Sequence, residues 1–336
     1  MDRRRFIRLA AGSDVASVGG AGAGCSQQMP ADAIAAWKGP GTGTDARRWI
    51  LGYAILAPHS HNLQSWLVDL RAPGEIVLRC HLARLLPETD PFSRQIMMSH
   101  GTFVELLDIA ARERGLRTGI SLFPEGPFGA STLDQRPVAR IRLAADPTIS
   151  KDPLFAQILH RHTNRSAYRT DHPVPADAWH AMRESVRPNA LRFGFVGTDQ
   201  PDALKSHRVG LFDRSKPPDP NDYATTSQIN DFNVKLESTP GFLWMVTDGK
   251  DRVTQVNAGR AYARVQLTAT AAGIALQPLQ QALQEYPAQA TPYAGVRRLL
   301  DASSPSQTIQ MWARAGFAPP VGPAPRRGVD AQLVRA

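Results

Sequence analysis

The stretches HGTFVELLDIAARERGL, residues 100–116, and AGRAYARVQLTATAAGI, residues 258–274, constrain this chain more than anything else in it. Aligning Gly101 with Gly259, 158 residues further on, brings Gly115 onto Gly273 without a gap. Leu107 then meets Val265, Ile109 meets Leu267, Ala111 meets Ala269 and Leu116 meets Ile274. In the first stretch Phe103, Leu106, Leu107, Ala110 and Ala111 recur at helical spacing, and Gly115 stands where a helix ends on a left-handed residue. The pattern predicts a long amphipathic helix in each. Flanking segments read as strands: Ile76–Cys80 and Arg136–Leu143 around the first helix, Phe242–Thr247 and Thr308–Arg314 around the second. The chain therefore reads as two tandem copies of one α+β unit. Two units that each have one long helix face to bury pack most simply as the subunits of a symmetric dimer do. One chain then supplies both sides of its own interface, an intrachain pseudo-dimer, and no oligomer is required to complete it.

At 336 residues and 42% hydrophobic, the chain is long enough for two core-bearing units. The break between them falls near residues 145–153, where two prolines and two aspartates interrupt the pattern, giving halves at 47–150 and 151–336. Within the first half, Trp66, Val68 and Leu70 alternate, as do Ile76, Leu78 and Cys80, with Ala72-Pro73-Gly74 between them; this predicts a hairpin. Residues 29–46 are Gly/Pro/Thr-rich and suit an exposed linker. In the second half, 213–241 is a Pro-rich interruption, either a lid in which Tyr223 or Phe232 covers a site or a plain surface loop.

The chain begins MDRRRFIRLAAGSDVASVGGAGAGCS, with Arg3, Arg4 and Arg5 ahead of Phe6 and Ile7 and a weakly apolar Gly/Ala-rich run. Residues 1–28 resemble a twin-arginine export signal, which implies the export machinery as a partner and a periplasmic or otherwise exported protein; the alternative is a disordered basic terminus. The run is too short and polar for a transmembrane span. Cys25 is a candidate for lipidation, although Gly22 stands where a large aliphatic residue is normal for that signal. Removing four Arg and two Asp with this segment takes +2 from the formal charge of +9 and leaves +7. Lys and Arg are scattered and no basic stripe is interleaved with aromatics, so the charge does not indicate nucleic acid. With only Cys25 and Cys80 there is no disulfide framework, and Cys80, ending a strand-like stretch, reads as a buried structural thiol.

Two further segments carry chemistry. LAPHSHNLQSW, residues 56–66, sets Pro58, His59, Ser60, Asn62 and Gln64 close together straight after an apolar run. FAQILHRHTNRSAYRTDHPVP, residues 155–175, places Arg161, Thr163 and Arg165 at alternate positions, so an extended chain projects two guanidinium groups and a hydroxyl on one side. That cluster suits a phosphate, because Arg offers planar paired donors. A solvated basic helix end is the other reading of the same residues.

The run Arg161 to Tyr168 followed by Pro173-Val174-Pro175 resembles the Arg-Arg-Ser-x-Arg-x-x-Phe element and following Pro-Val-Pro of FMN-dependent nitroreductases. Ala57 to Trp66 resembles that family's Ala-Pro-Ser-x-x-Asn-x-Gln-Pro-Trp segment, with Ser65 in place of its proline, and the closing GPAPRR resembles its basic C-terminal element. With the export signal and the duplication, the chain is most similar to the Acg-like single-chain branch. The resemblance implies a nitroreductase-like fold and one FMN built from both halves. Arg161, Thr163, Arg165, Arg326 and Arg327 would clamp its phosphate; Pro58, His59, Ser60, Asn62 and Gln64 would form the wall opposite, with Asn62 or Gln64 reaching the ring. The second, symmetry-related site is expected to be degenerate. The reaction implied is two-electron transfer from a small-molecule donor through FMN to a nitroaromatic or quinone-type acceptor.

The pairs His59-x-His61 and His160-x-His162 invite a metal-site reading, but no Cys or acidic partner is placed to complete a tetrahedral set. Ser60 lacks the Gly-x-Ser-x-Gly elbow of a hydrolase nucleophile. The rival from another class is a flavin-storage or redox-sensing protein without turnover, since NAD(P)H is scarce outside the cytoplasm.

Overall fold

The computed structural model describes residues 29–43, 45–87, 89–186, 189–197, 230, 233–284 and 289–334. The expected signal at 1–28 with Cys25, and most of the segment 213–241 with Tyr223 and Phe232, lie outside the described residues.

Strands β1 (Trp66–Asp69), β2 (Glu75–Cys80), β3 (Leu116–Leu122) and β4 (Pro137–Ala145) form one antiparallel sheet in the order β1-β2-β4-β3. Strands β5 (Arg192–Gly197), β6 (Gly241–Asp248), β7 (Ala275–Pro278) and β8 (Gln307–Gly316) form a second in the order β5-β6-β8-β7, the same topology repeated. The helices are α1 (Ala46–Ala54), α2 (Arg94–Glu113), α3 (Ala176–Ser185), α4 (Arg252–Ala271) and α5 (Ala290–Leu299). The fold is α+β in two tandem halves. The expected hairpin is β1–β2, with Trp66 paired to Cys80. Helices α2 and α4 each run 20 residues, and both start six or so residues ahead of the aligned window. Gly115 and Gly273, with φ of 67° and 69°, turn each helix straight into a strand. Those strands, β3 and β7, were not expected. In β3 every second residue is exposed and the others are only half-buried, and β7 has four residues, so neither shows a strong apolar alternation.

Each long helix is inserted in the other half's core. Ala263 and Leu267 of α4 pack with Ile50, Phe103 and Trp66 in the first core, and Met98 of α2 packs with Met245 and Tyr262 in the second. The first residues of both helices are buried arginines that reach across: Arg94 donates to the carbonyl oxygens of Gln310 (2.9 Å) and Leu283 (3.3 Å), and Arg252 to those of Gly129 (2.9 Å) and Phe92 (2.8 Å). Each guanidinium satisfies carbonyls on the opposite half, which pins the register of the seam.

Part of the stretch expected as an exposed linker is ordered. Residues Ala31–Lys38 form a 3₁₀ helix; Trp37 Nε1 donates to Ala324 O (2.7 Å) and Ala33 O accepts from Arg326 N (2.8 Å). Its Ala and Trp side chains give it something to bury, which the Gly/Pro/Thr count hides. The C-terminal segment returns to the first half, where Val334 N donates to Val68 O (2.8 Å) beside the edge strand β1. Among the described residues no helix is long and apolar enough to cross a membrane.

Candidate functional site

A cleft lies between the halves beside the α2–α4 crossing. Pro58, His59, Ser60 and His61 line it together with Gln95, Met98, Ser99 and Thr102 of α2; facing them are Thr163, Arg165, Gly259, Tyr262, Gln277, Gln280 and Met311 from the second half.

The loop after α1 is held against α2 by polar bonds. Thr102 Oγ1 donates to Pro58 O (2.7 Å), Ser60 N to Ser99 Oγ (3.0 Å), and Ser60 Oγ to Gln95 Oε1 (3.1 Å). His59 Nδ1 lies 2.8 Å from Ser60 O, and a carbonyl only accepts, so Nδ1 carries the proton and Nε2 accepts from Ser65 Oγ at 2.7 Å. Burial pushes the His59 pKa down to about 3, so the ring is neutral and serves as a strut. His61, Asn62 and Gln64 have φ of 49°, 52° and 51°, a left-handed conformation that non-glycine residues adopt at a cost. Bonds to the C-terminal segment offset it. Asn62 Nδ2 donates to Pro325 O (3.0 Å), Asn62 Oδ1 accepts from Arg326 Nη1 (2.5 Å), and Gln64 Oε1 accepts from Arg327 N (2.8 Å).

The ten residues singled out from the sequence thus fall into two neighbouring groups. Pro58, His59, Ser60, Thr163 and Arg165 line the cleft. Asn62, Gln64, Arg326 and Arg327 are tied to one another behind it, and Arg161 joins that group. Residues 161–165 have no regular secondary structure, so the expected extended run is compatible with the backbone, but its side chains divide. Arg161 is buried, donating to Leu56 O (2.9 Å) and Gln266 Oε1 (3.1 Å), while Arg165 is exposed at the cleft. Arg326 shares the Leu56 carbonyl at 3.4 Å, and both guanidinium groups lie over Trp37, 5.5 and 5.1 Å from its ring centroid. Neither Arg161 nor Arg326 forms an ion pair among the described residues, and each leaves its Nε without a partner. Burial holds the Arg161 pKa down to about 10; burial and then the Arg161 charge hold Arg326 down to about 9. Two desolvated cations with spare donors favour an anion.

Tyr262 and Gln277 were not picked out from the sequence. Their Tyr262 Oη and Gln277 Oε1 atoms are buried without a hydrogen-bond partner. Such a group costs about 1–3 kcal/mol until something satisfies it. The helix alignment carried the signal, because Tyr262 falls opposite Val104. Arg314, fully buried on β8 with its guanidinium 3.7 Å over the Tyr168 ring, also leaves Nε and Nη1 unpaired.

On the other side of the crossing the alignment sets Arg260 where the cleft has Thr102. Arg260 Nε meets the buried Glu105 at 2.8 Å, and Arg264 Nη1 meets Glu105 and Asp152, each at 2.9 Å. Long, ion-paired side chains thus stand on that side where the cleft has a small hydroxyl residue. The His pairs are dispersed: His59 is bonded to Ser65, His162 lies against Trp37 with ring centroids 4.8 Å apart, and among the described residues no group of three or more His, Cys, Asp or Glu is arranged to hold a metal. Cys80 is a buried free thiol whose pKa burial pushes up to about 12, which leaves it unreactive.

No protein-family model matches the chain. It is 26% identical over 322 residues to the Mycobacterium tuberculosis (strain H37Rv) protein named "Putative NAD(P)H nitroreductase Rv3131", covering 83% of this chain and 88% of that one. The strain CDC 1551 protein named "Putative NAD(P)H nitroreductase MT3217" matches equally. These relatives support kinship with nitroreductases. Among solved structures, a nitroreductase with bound FMN from Bacteroides fragilis overlaps 55% of this chain and 99% of its own at 17% identity and a TM-score of 0.40. The FMN-dependent nitroreductase NfnB from Mycobacterium smegmatis, in complex with NADPH, overlaps 54% and 96% at 16% identity and a TM-score of 0.38.

Proposed function

We propose that this chain is an exported, FMN-binding oxidoreductase of nitroreductase type that passes two electrons from a small-molecule donor through FMN to a nitroaromatic or quinone-type acceptor. The observation that carries the reading is the cleft at the seam, where Arg165, Thr163 and the unsatisfied Tyr262 and Gln277 face Ser60 and Gln95 from the other half. The cleft chemistry fits the cofactor: cationic and hydroxyl donors for a phosphate, amides for the polar edge of a flavin, and Met98 and Met311 for its faces. Arg161 and Arg326 back the cationic end. FMN would supply the redox chemistry, and the protein would hold and orient it. Export, and the Acg-like branch, rest on Arg3 to Ile7 and on the tandem architecture. A nicotinamide donor is favoured by the names of the relatives.

The deciding experiment is to purify the mature chain, record its visible spectrum, and quantify FMN released per chain after denaturation. About one FMN per chain is expected. A colourless chain that takes up no added FMN overturns the proposal. A yellow chain that turns over with neither NADH, NADPH nor a chemical reductant in the presence of an acceptor is instead a flavin-storage or sensing protein.

A further inference from the structure

Tyr262 and Val104 occupy equivalent places on the aligned helices of the two halves. Val104 is sealed in the first core, whereas Tyr262 lines the cleft with its hydroxyl buried and unpartnered. Phenylalanine fills the same space without the oxygen, so packing does not account for a phenol here. An unpartnered buried hydroxyl opposes folding, and that opposition vanishes when a molecule in the cleft bonds to it. Gln277, also lining the cleft, leaves its Oε1 in the same condition. The titratable groups that act on the phenol are Arg161, Tyr168 and Arg165, with no carboxylate among them. Burial raises its pKa above the ordinary value, so at neutral pH it retains its proton and donates.

We propose that Tyr262 is an affinity-determining residue of the cleft whose hydroxyl donates to the anionic group of the bound cofactor alongside Thr163 and Arg165, while Gln277 Oε1 accepts from an N–H or O–H elsewhere on the same molecule. This rests on the FMN reading, in which the anion is the phosphate. Tyr262 then selects a phosphorylated flavin over an unphosphorylated one, through a contact that only one of the two equivalent helix positions can make, while Gln277 adds affinity for either.

The test uses the full mature chain stripped of flavin, with Tyr262→Phe and Gln277→Leu, titrated with FMN and separately with riboflavin by flavin fluorescence, and with thermal melts before flavin is added. For Tyr262→Phe, FMN affinity should fall about tenfold and riboflavin affinity change by less than about twofold, with a flavin-free Tm at or above that of the parent. Gln277→Leu should weaken both flavins alike. A lower flavin-free Tm with unchanged FMN affinity would make Tyr262 a core residue and overturn the inference, as would equal losses for both flavins. Unchanged affinities in Gln277→Leu overturn the second contact. If the parent chain binds neither flavin, the cofactor reading itself fails, an outcome separate from all of these.

Discussion

Gly101 and Gly259 are each pressed against the other's helix in a reciprocal contact. A Cβ on Gly101 would lie 1.9 Å from Val256 O, and one on Gly259 would lie 1.9 Å from Met98 O. Met98 and Val256 each precede their glycine by three residues, so the contact repeats itself under the exchange of halves, as an isologous dimer interface does. The missing side chains set how closely α2 and α4 approach, and with that the width of the cleft that Met98 and Gly259 line.

Gly101→Ala and Gly259→Ala should therefore each destabilise the chain by roughly 3 kcal/mol, the upper end for overpacking, because the atoms a new Cβ would meet are backbone atoms that cannot swing aside. Gly119→Ala, where the nearest atom to a new Cβ is Arg142 Cβ at 3.8 Å, should change stability little. Urea midpoints of the three variants decide it: equal midpoints would mean the helices do not approach so closely.

Most of this seam was legible in the sequence, since the glycine alignment predicts the helices, their pairing and a repeated unit. Had the same offset been carried back beyond the aligned window it would have matched Arg94 with Arg252, the two cross-seam struts. The cleft was legible in part. Pro58, His59, Ser60, Thr163 and Arg165 line it. Asn62 and Gln64 belong to the same motif but turn toward residues 325–327, because three left-handed residues redirect the chain between Ser60 and Ser65. Linear spacing cannot report such a reversal. Nor did any motif point to Trp37, whose ring faces Arg161 and Arg326 from a segment of linker-like composition.

The division among the arginines separates binding from folding. Arg165 is exposed at the cleft, so Arg165→Ala should weaken FMN binding about tenfold while leaving the flavin-free Tm within error. Arg326→Ala removes the donor to Asn62 Oδ1 and the carbonyls of Leu56 and Ala57, and should lower the flavin-free Tm as well. Paired melts and FMN titrations check both. Loss of flavin-free stability in Arg165→Ala would place that side chain in the folding core instead.

Glu105 offers a different kind of test, because its side chain is 4% exposed and holds Arg260 and Arg264 at once. Replacing it with alanine takes away the carboxylate that Arg260 pairs with, while Arg264 keeps Asp152. Chemical denaturation should register a loss of about 3 kcal/mol. Flavin stoichiometry should stay at one per chain, since Arg260 still stands where the cleft has the smaller Thr102. A second equivalent of FMN in Glu105→Ala would mean that the ion pair alone closes the symmetry-related site.

Acid should unfold the chain through its buried histidines. Burial holds His59 down to about 3 and His100 down to about 4, against an ordinary value of 6.5. Above 6.5 both states leave these rings neutral, and stability is fully present. Below it the unfolded chain takes up protons that the folded chain refuses, so stability is lost as pH falls from about 6.5 toward 3–4, by about 1.4 kcal/mol per pH unit for each ring. The carboxyl of Asp90, raised by its burial, works in the opposite direction, but it is common to parent and variant and cancels in their difference. His100→Gln is the informative substitution, because the ring's short bond is to Ile96 O within its own helix (2.8 Å). Urea unfolding at pH 7.5, 6.0 and 5.0 should give a shallower acid loss in the variant by about one proton. Identical pH dependences in the two chains would show that His100 takes up its proton at the same pH in the folded and unfolded states, and would contradict its complete burial.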